Sequence, residues 1–174
     1  MNTATAAAAY LAHEEGYSPR AVWDVNAWRI GYGSDTITDA AGNVRQVQQG
    51  DTTTEEAARR DLIRRISTEF IPKIQRKIGA DVFNRWPQPA QIAFISFAYN
   101  YGNLKKSIAE AAKTLNPEHL AKIWISSTYN DNQRLPENIR QALRARRQRE
   151  AALILSGSET VKKKMIIPAL GLTL

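Results

Sequence analysis

Apolar positions change their period twice along this chain. Near the start, Ala8, Leu11 and Glu15 fall at i, i+3 and i+7, so the pattern predicts a short helix over Thr3–Glu15 with a threonine cap. Gly16, with Pro19 soon after, should stop it. Ala7, Tyr10 and Glu14 form a neighbouring stripe, and periodicity alone leaves open which glutamate faces inward. From Val22 to Gln48 the period drops to two: Trp28, Ile30 and Tyr32 alternate with Arg29 and Gly31. Thr36-Ile37-Thr38 and Val44-Arg45-Gln46-Val47 then flank the turn-forming Asp39-Ala40-Ala41-Gly42-Asn43. The expected element is one small antiparallel sheet of two or three strands.

After Gly50 the helical period returns. Thr53 and Glu56 form a capping-box signature, and Ala58, Leu62, Ile66 and Phe70 make one stripe. Pro72 should kink or end that helix, while Ile74 and Ile78 continue its pattern to Gly79. Pro89 opens the run Ile92-Ala93-Phe94-Ile95-Ser96-Phe97-Ala98-Tyr99, closed by Gly102; a helix apolar on most faces is a central, buried one. Asn116-Pro117 starts a further helix through Ile125, and another runs from Pro136 to Leu155. Beyond Gly157, Lys162-Lys163-Lys164 and Met165-Ile166-Ile167 are expected to dock in extended form. The fold class is therefore α+β and mostly helical. Its 174 residues suit a single domain over 1–174, β-rich over about 17–50 and helical over about 51–174 together with the N-terminal helix.

Composition removes several function classes. With no cysteine, neither disulfides nor a thiolate metal site are available. His13 and His119 are the only histidines, too few for a histidine metal cage and a poor supply for a Ser-His-Asp triad, so no metal or cofactor is expected. The net charge of +7 suits a polyanionic partner (nucleic acid, an anionic membrane or an anionic cell wall) as well as it suits a solvated basic surface. The alanine-rich start lacks a basic region and a long apolar core, so it does not read as a signal peptide, and no run is apolar enough to span a membrane.

Candidate chemistry centres on carboxylates beside the β segment. Glu15 closes an apolar helix face, abuts a glycine and is followed at once by the hairpin. A carboxyl partly shielded by apolar neighbours has its acid form favoured, as a general acid requires. Asp24, in Trp23-Asp24-Val25-Asn26, is either a second carboxylate of the site or the cap of a turn, and Asp35 carries the same pair of readings. Gly31 and Gly33 lack the third glycine and the lysine of a phosphate loop. Arg140, Arg144, Arg146, Arg147 and Arg149, with Lys162-Lys163-Lys164, form the basis of a nucleic-acid-binding alternative. A packed helix with a basic outer face explains the arginines equally well, since Arg146 and Glu150 stand at i, i+4 and no aromatic residues interleave.

Taken in order, Glu15-Gly16, Asp24, Ile30-Gly31-Tyr32-Gly33, Ser96-Phe97-Ala98-Tyr99-Asn100-Tyr101-Gly102, Arg146-Arg147 and Glu150 give the chain a wider meaning. That ordered set, over roughly residues 8 to 155, resembles the phage-type lysozymes (endolysins) of glycoside hydrolase family 24. The resemblance implies a lysozyme-like fold, a small antiparallel β-hairpin lobe and a larger helical lobe, with bacterial peptidoglycan bound in the cleft between them. It assigns the general acid to Glu15, because the family glutamate is the one before glycine, and a catalytic aspartate to Asp24. Arg29, Tyr32, Asp35 and Asn100 are the expected substrate contacts, and Arg146 and Glu150 look structural. No nucleic-acid partner is expected under this reading, and the expected state is a monomer. An endolysin would wait in the host cytoplasm for release to the wall; a virion-associated wall-opening enzyme is the other possibility.

Three departures open an alternative. Arg29 stands where hydrolytic members usually carry threonine, and Ser34 stands where histidine often follows Gly-Tyr-Gly. The hairpin between Asp24 and Gly31 also runs about one residue short of the T-even pattern. Relatives that rely on the glutamate alone are lytic transglycosylases, which form 1,6-anhydro ends. A lysozyme-like module that binds glycan without cutting it is a third reading.

Overall fold

The computed structural model describes residues 1–127 and 135–166, with side chains placed through Gly157. The chain divides into two compact units after Pro72.

In the first unit, α1 spans Thr3–Glu15 and buries Ala4, Ala7, Ala8 and Leu11. Its cap is Asn2 rather than a threonine: the Asn2 side chain accepts from the Thr5 N–H at 2.8 Å. An asparagine placed one residue before the first threonine serves the same orphan donor. Gly16, at φ 68° and ψ 167°, ends the helix in a conformation open to glycine. Strands β1 (Ser18–Asp24) and β2 (Ala27–Gly31) then pair antiparallel, with Trp23 opposite Trp28 and Ser18 opposite Gly31. Across the ladder the two indoles pack edge to face at 5.5 Å. Strands β3 (Thr36–Thr38) and β4 (Val44–Gln46) form a second, separate ladder, so the expected single sheet is two hairpins. Their short strands are held by the Asp39–Asn43 turn, in which Asp39 accepts from the Asn43 backbone at 2.8 Å.

Helix α2 spans Glu55–Arg65 and packs against α1, β2 and β3. Thr54 caps it by accepting from the Ala57 N–H at 3.2 Å. The Thr53–Glu56 box is thus displaced by one residue: Thr54 is the last extended residue, while the Thr53 carbonyl accepts from the Tyr17 hydroxyl at 2.7 Å. Ala58, Leu62, Ile66 and Phe70 are all buried, as their spacing predicts. The helical path survives Pro72 by widening into a π turn over Ile66–Phe70, where the Ile71 N–H bonds the Ile66 carbonyl, five residues back. That turn sits immediately before the residue that has no N–H to give and whose ring crowds the preceding turn. Helix α3, Ile71–Ile78, belongs from Lys73 onward to the second unit and continues to Gly79 at φ 97°.

The second unit contains α4 (Ala80–Arg85), α5 (Gln88–Tyr101), α6 (Lys106–Lys113), α7 (Pro117–Ser126) and α8 (Glu137–Ile166). The predicted central helix is α5, buried from Ala93 through Ala98 and stopped by Gly102 at φ 78°. Phe94 meets Trp86 and Trp124, and Phe97 meets Trp124, with ring centres 5.1–5.8 Å apart. Asn116 caps α7 as its sequence predicts, accepting from the His119 N–H. Helix α8 packs on α5 and α7 and runs eleven residues past the Leu155 end expected from sequence, to Ile166. Gly157 does not break it, because it is where α8 meets Pro87: an added Cβ would lie 2.5 Å from the proline Cγ. The extended tail is thereby corrected to helix through Ile166, whereas Ile167 lies outside the described residues. No helix among the described residues is long and apolar enough to cross a membrane.

Candidate active site

Glu15 is the last residue of α1 and is half-buried, as is Glu14, so burial does not separate the two. The chain leaves α1 through Gly16 and enters β1 at Ser18; the antiparallel return brings Gly31 back beside Ser18. Gly31 is required there twice over. Its φ is +63°, and a Cβ would meet the Ala58 Cβ of α2 at 2.7 Å. Gly31→Ala is expected to destabilise the protein by about 2 kcal/mol or more, combining a left-handed penalty with overpacking. A lowered urea midpoint at unchanged slope is the measurement; an unchanged midpoint would mean that α2 yields freely.

Asp24 ends β1 at the hairpin tip. Its side chain is 65% exposed and lies 4.0 Å (Oδ2) from the Arg29 Nε. Among the described residues it makes no side-chain hydrogen bond within the turn, which sets aside the turn-cap reading. The tip is tight instead through its backbone, where the Asn26 N–H donates to the Asp24 carbonyl and Val25 takes φ 50°. Arg29 also reaches Asp35, Nη1 to Oδ2 at 3.6 Å, and the other Asp35 oxygen lies 3.5 Å from Arg65 Nη2. The structure therefore brings Asp24, Arg29 and Asp35 into one ion-paired cluster.

Sequence reasoning missed what stands beneath that cluster. Asp61 is 2% exposed and accepts from the hydroxyls of Ser34 (2.6 Å), Thr36 (3.1 Å) and Thr38 (2.5 Å). Arg64 donates to Asp61 and Thr38, and Arg65 donates to Ser34 Oγ at 3.2 Å and to Glu69 at 3.3 Å. A signal did exist. Asp61 and Arg65 stand at i+3 and i+7 from Ala58, on the inward face of α2, opposite the alternating hydroxyls of 34, 36 and 38. Buried polar groups at apolar-stripe positions need partners, and this strand supplies them.

Tyr32 and Asn100, the other expected contacts, each have partners within their own unit. Tyr32 is 3% exposed, donates its hydroxyl to Glu55 Oε1 at 3.1 Å and stacks at a tilt on Tyr17. Burial pushes its phenol up, and Glu55 adds to the shift. Asn100 belongs to the second unit, at the exposed end of α5, where its Oδ1 accepts from Arg147 Nη2 at 3.3 Å. Arg146 and Glu150 are structural, as expected: Glu150 is fully buried and accepts from Ser96 Oγ at 2.6 Å, Trp124 Nε1 at 2.8 Å and Arg146 Nε at 3.4 Å. Burial pushes this carboxyl up against the opposing pull of Arg147, Ser96, Trp124 and Arg146. No group of three or more metal-ligating side chains is gathered among the described residues.

The family model for phage lysozyme matches residues 12–150, a span that includes Glu15, the whole hairpin, the Asp61 network and Glu150. The chain belongs to the phage lysozyme family. Among solved structures, the muramidase domain of SpmX from Asticaccaulis excentricus is similar in fold, at a TM-score of 0.63 and 18% identity. The alignment covers 86% of this chain and 95% of that one. None of the curated proteins matches. As a phage-lysozyme family member the protein is a lysozyme-type glycoside hydrolase, and its fold is the mostly helical, lysozyme-like one that the resemblance implied, with two small hairpins.

Proposed function

We propose that this protein is a muramidase that cleaves the β-1,4 bond between N-acetylmuramic acid and N-acetylglucosamine in bacterial peptidoglycan, serving wall lysis by a phage or prophage. The observation that carries the reading is the placement, inside the family match, of Glu15 at the last turn of α1, followed directly by the hairpin that carries Asp24. In the proposed reaction the Glu15 carboxyl gives its proton to the glycosidic oxygen as the bond to the muramic C1 breaks. A water directed by the Asp24 carboxylate supplies the oxygen that bonds to C1, and its proton passes to that carboxylate. The net charge of +7 supports attraction to an anionic wall.

One observation favours a second reading. At the position where hydrolytic members carry a hydroxyl, this chain has the Arg29 guanidinium, placed between Asp24 and Asp35. If no water is directed, the substrate's own 6-hydroxyl closes on C1, its proton passing to the Glu15 carboxylate left by the first transfer, and a transglycosylase results. Mass spectrometry of the soluble fragments separates the two. Reducing-end muramic acid is the expected product; fragments lighter by one water would identify 1,6-anhydro ends and remove Asp24 from the mechanism.

A further inference from the structure

We infer that Arg29 is a positioning residue: it orients the Asp24 carboxylate, and it is itself held in place by Asp35 and Arg65. The inference rests on the proposed water-directing role of Asp24.

Asp24 stands at a hairpin tip whose next residue, Val25, has φ 50°, and its side chain is largely in solvent. A carboxylate there samples its rotamers unless something fixes it. Arg29 is the residue placed to do so. In the ladder it faces Val22, and on a pleated strand Val22 and Asp24 share a face, so Arg29 reaches Asp24 along the diagonal. Its guanidinium makes ion pairs with both carboxylates, Nε lying 4.0 Å from Asp24 and Nη1 3.6 Å from Asp35. Asp35 in turn meets Arg65 at 3.5 Å, and Arg65 is seated in the interior of its unit, bonded to Ser34 Oγ and lying over the Phe70 ring at 5.5 Å. The series runs from a buried anchor to an exposed carboxylate.

Exposed ion pairs at such distances add little to stability. What they change here is where the Asp24 oxygens sit, and small misplacements of a reacting group cost large factors in rate. A lysine could offer its single ammonium to one carboxylate but could not bridge both with a planar fork.

A kinetic cycle on peptidoglycan with the full chain tests the inference, using Asp24→Asn, Arg29→Met and the double variant. Arg29→Met is expected to lower kcat about 10-fold or more, with KM within about twofold and the thermal midpoint little changed. Because Arg29 acts through Asp24, the double variant should be no slower than Asp24→Asn alone. Arg29→Lys should not restore the rate. Asp35→Asn, which loosens the anchor and leaves the hairpin sequence intact, should lower kcat in the same direction and keeps the test decisive if Arg29→Met does not fold. Parental kcat in Arg29→Met, a loss confined to KM, or losses that multiply in the double variant would each overturn the inference. Parental activity in Asp24→Asn would overturn it too while leaving the role of Glu15 standing. A parent chain that releases no fragments would refute the proposed function itself, and this inference with it.

Discussion

Glu15→Gln is expected to lower peptidoglycan cleavage by about 10²–10⁴-fold while the protein folds as before, the usual cost of removing a general acid. Glutamine matches glutamate in size and keeps the hydrogen-bonding end of the side chain, so the half-buried site at the end of α1 is not emptied. What it lacks is the transferable proton. Far-UV circular dichroism and the unfolding transition provide the internal control, since the loss counts as chemical only in a variant that folds as the parent does. Glu14→Gln, one position earlier and also half-buried, makes the same electrostatic change and should retain activity. Undiminished lysis by Glu15→Gln, or equal losses in both variants, would displace Glu15 from the reaction.

The readable parts of the sequence were those where a single local rule fixes the outcome. The stripe 58, 62, 66, 70, the all-round apolar α5 and its Gly102 stop, and the Asn116 cap follow from periodicity and capping alone. Choices between adjacent, chemically similar residues were less legible. Asn2 caps α1 and Thr54 caps α2 because the backbone turns there, and neighbouring threonines give no local reason to prefer one over another. The run of α8 through Gly157 depended on a tertiary contact, Pro87, 70 residues away in sequence. The candidate site divides in the same way. Glu15 and Asp24 stand out by type and motif, but the Arg29–Asp35–Arg65 series and the Asp61 hub require α2 to lie against β3, which no period in either segment states.

The largest expected loss of stability comes from the second unit, at Glu150. Arg147 and Glu150 are fully buried and Arg146 nearly so, with the Glu150 Oε1 3.1 Å from Arg147 Nη2 and 3.4 Å from Arg146 Nε. Glu150→Ala removes the counter-charge of two buried guanidiniums and the acceptor of both the Ser96 hydroxyl and the Trp124 indole. Breaking a buried pair from one side typically costs about 3–5 kcal/mol, because the charge left behind has lost its solvent and its partner together. That is a large share of the stability of any domain. Glu150→Gln should fall between parent and alanine: it keeps a carbonyl oxygen for one of the two neutral donors but no charge for the arginines. Urea unfolding followed by tryptophan fluorescence reads all three proteins, since Trp124 is itself bonded to the carboxylate. Alanine and glutamine variants with equal midpoints would mean that the arginines draw nothing from the Glu150 charge. The bundle around α5 and α8 would then owe its cohesion to the Phe94, Phe97 and Trp124 contacts alone.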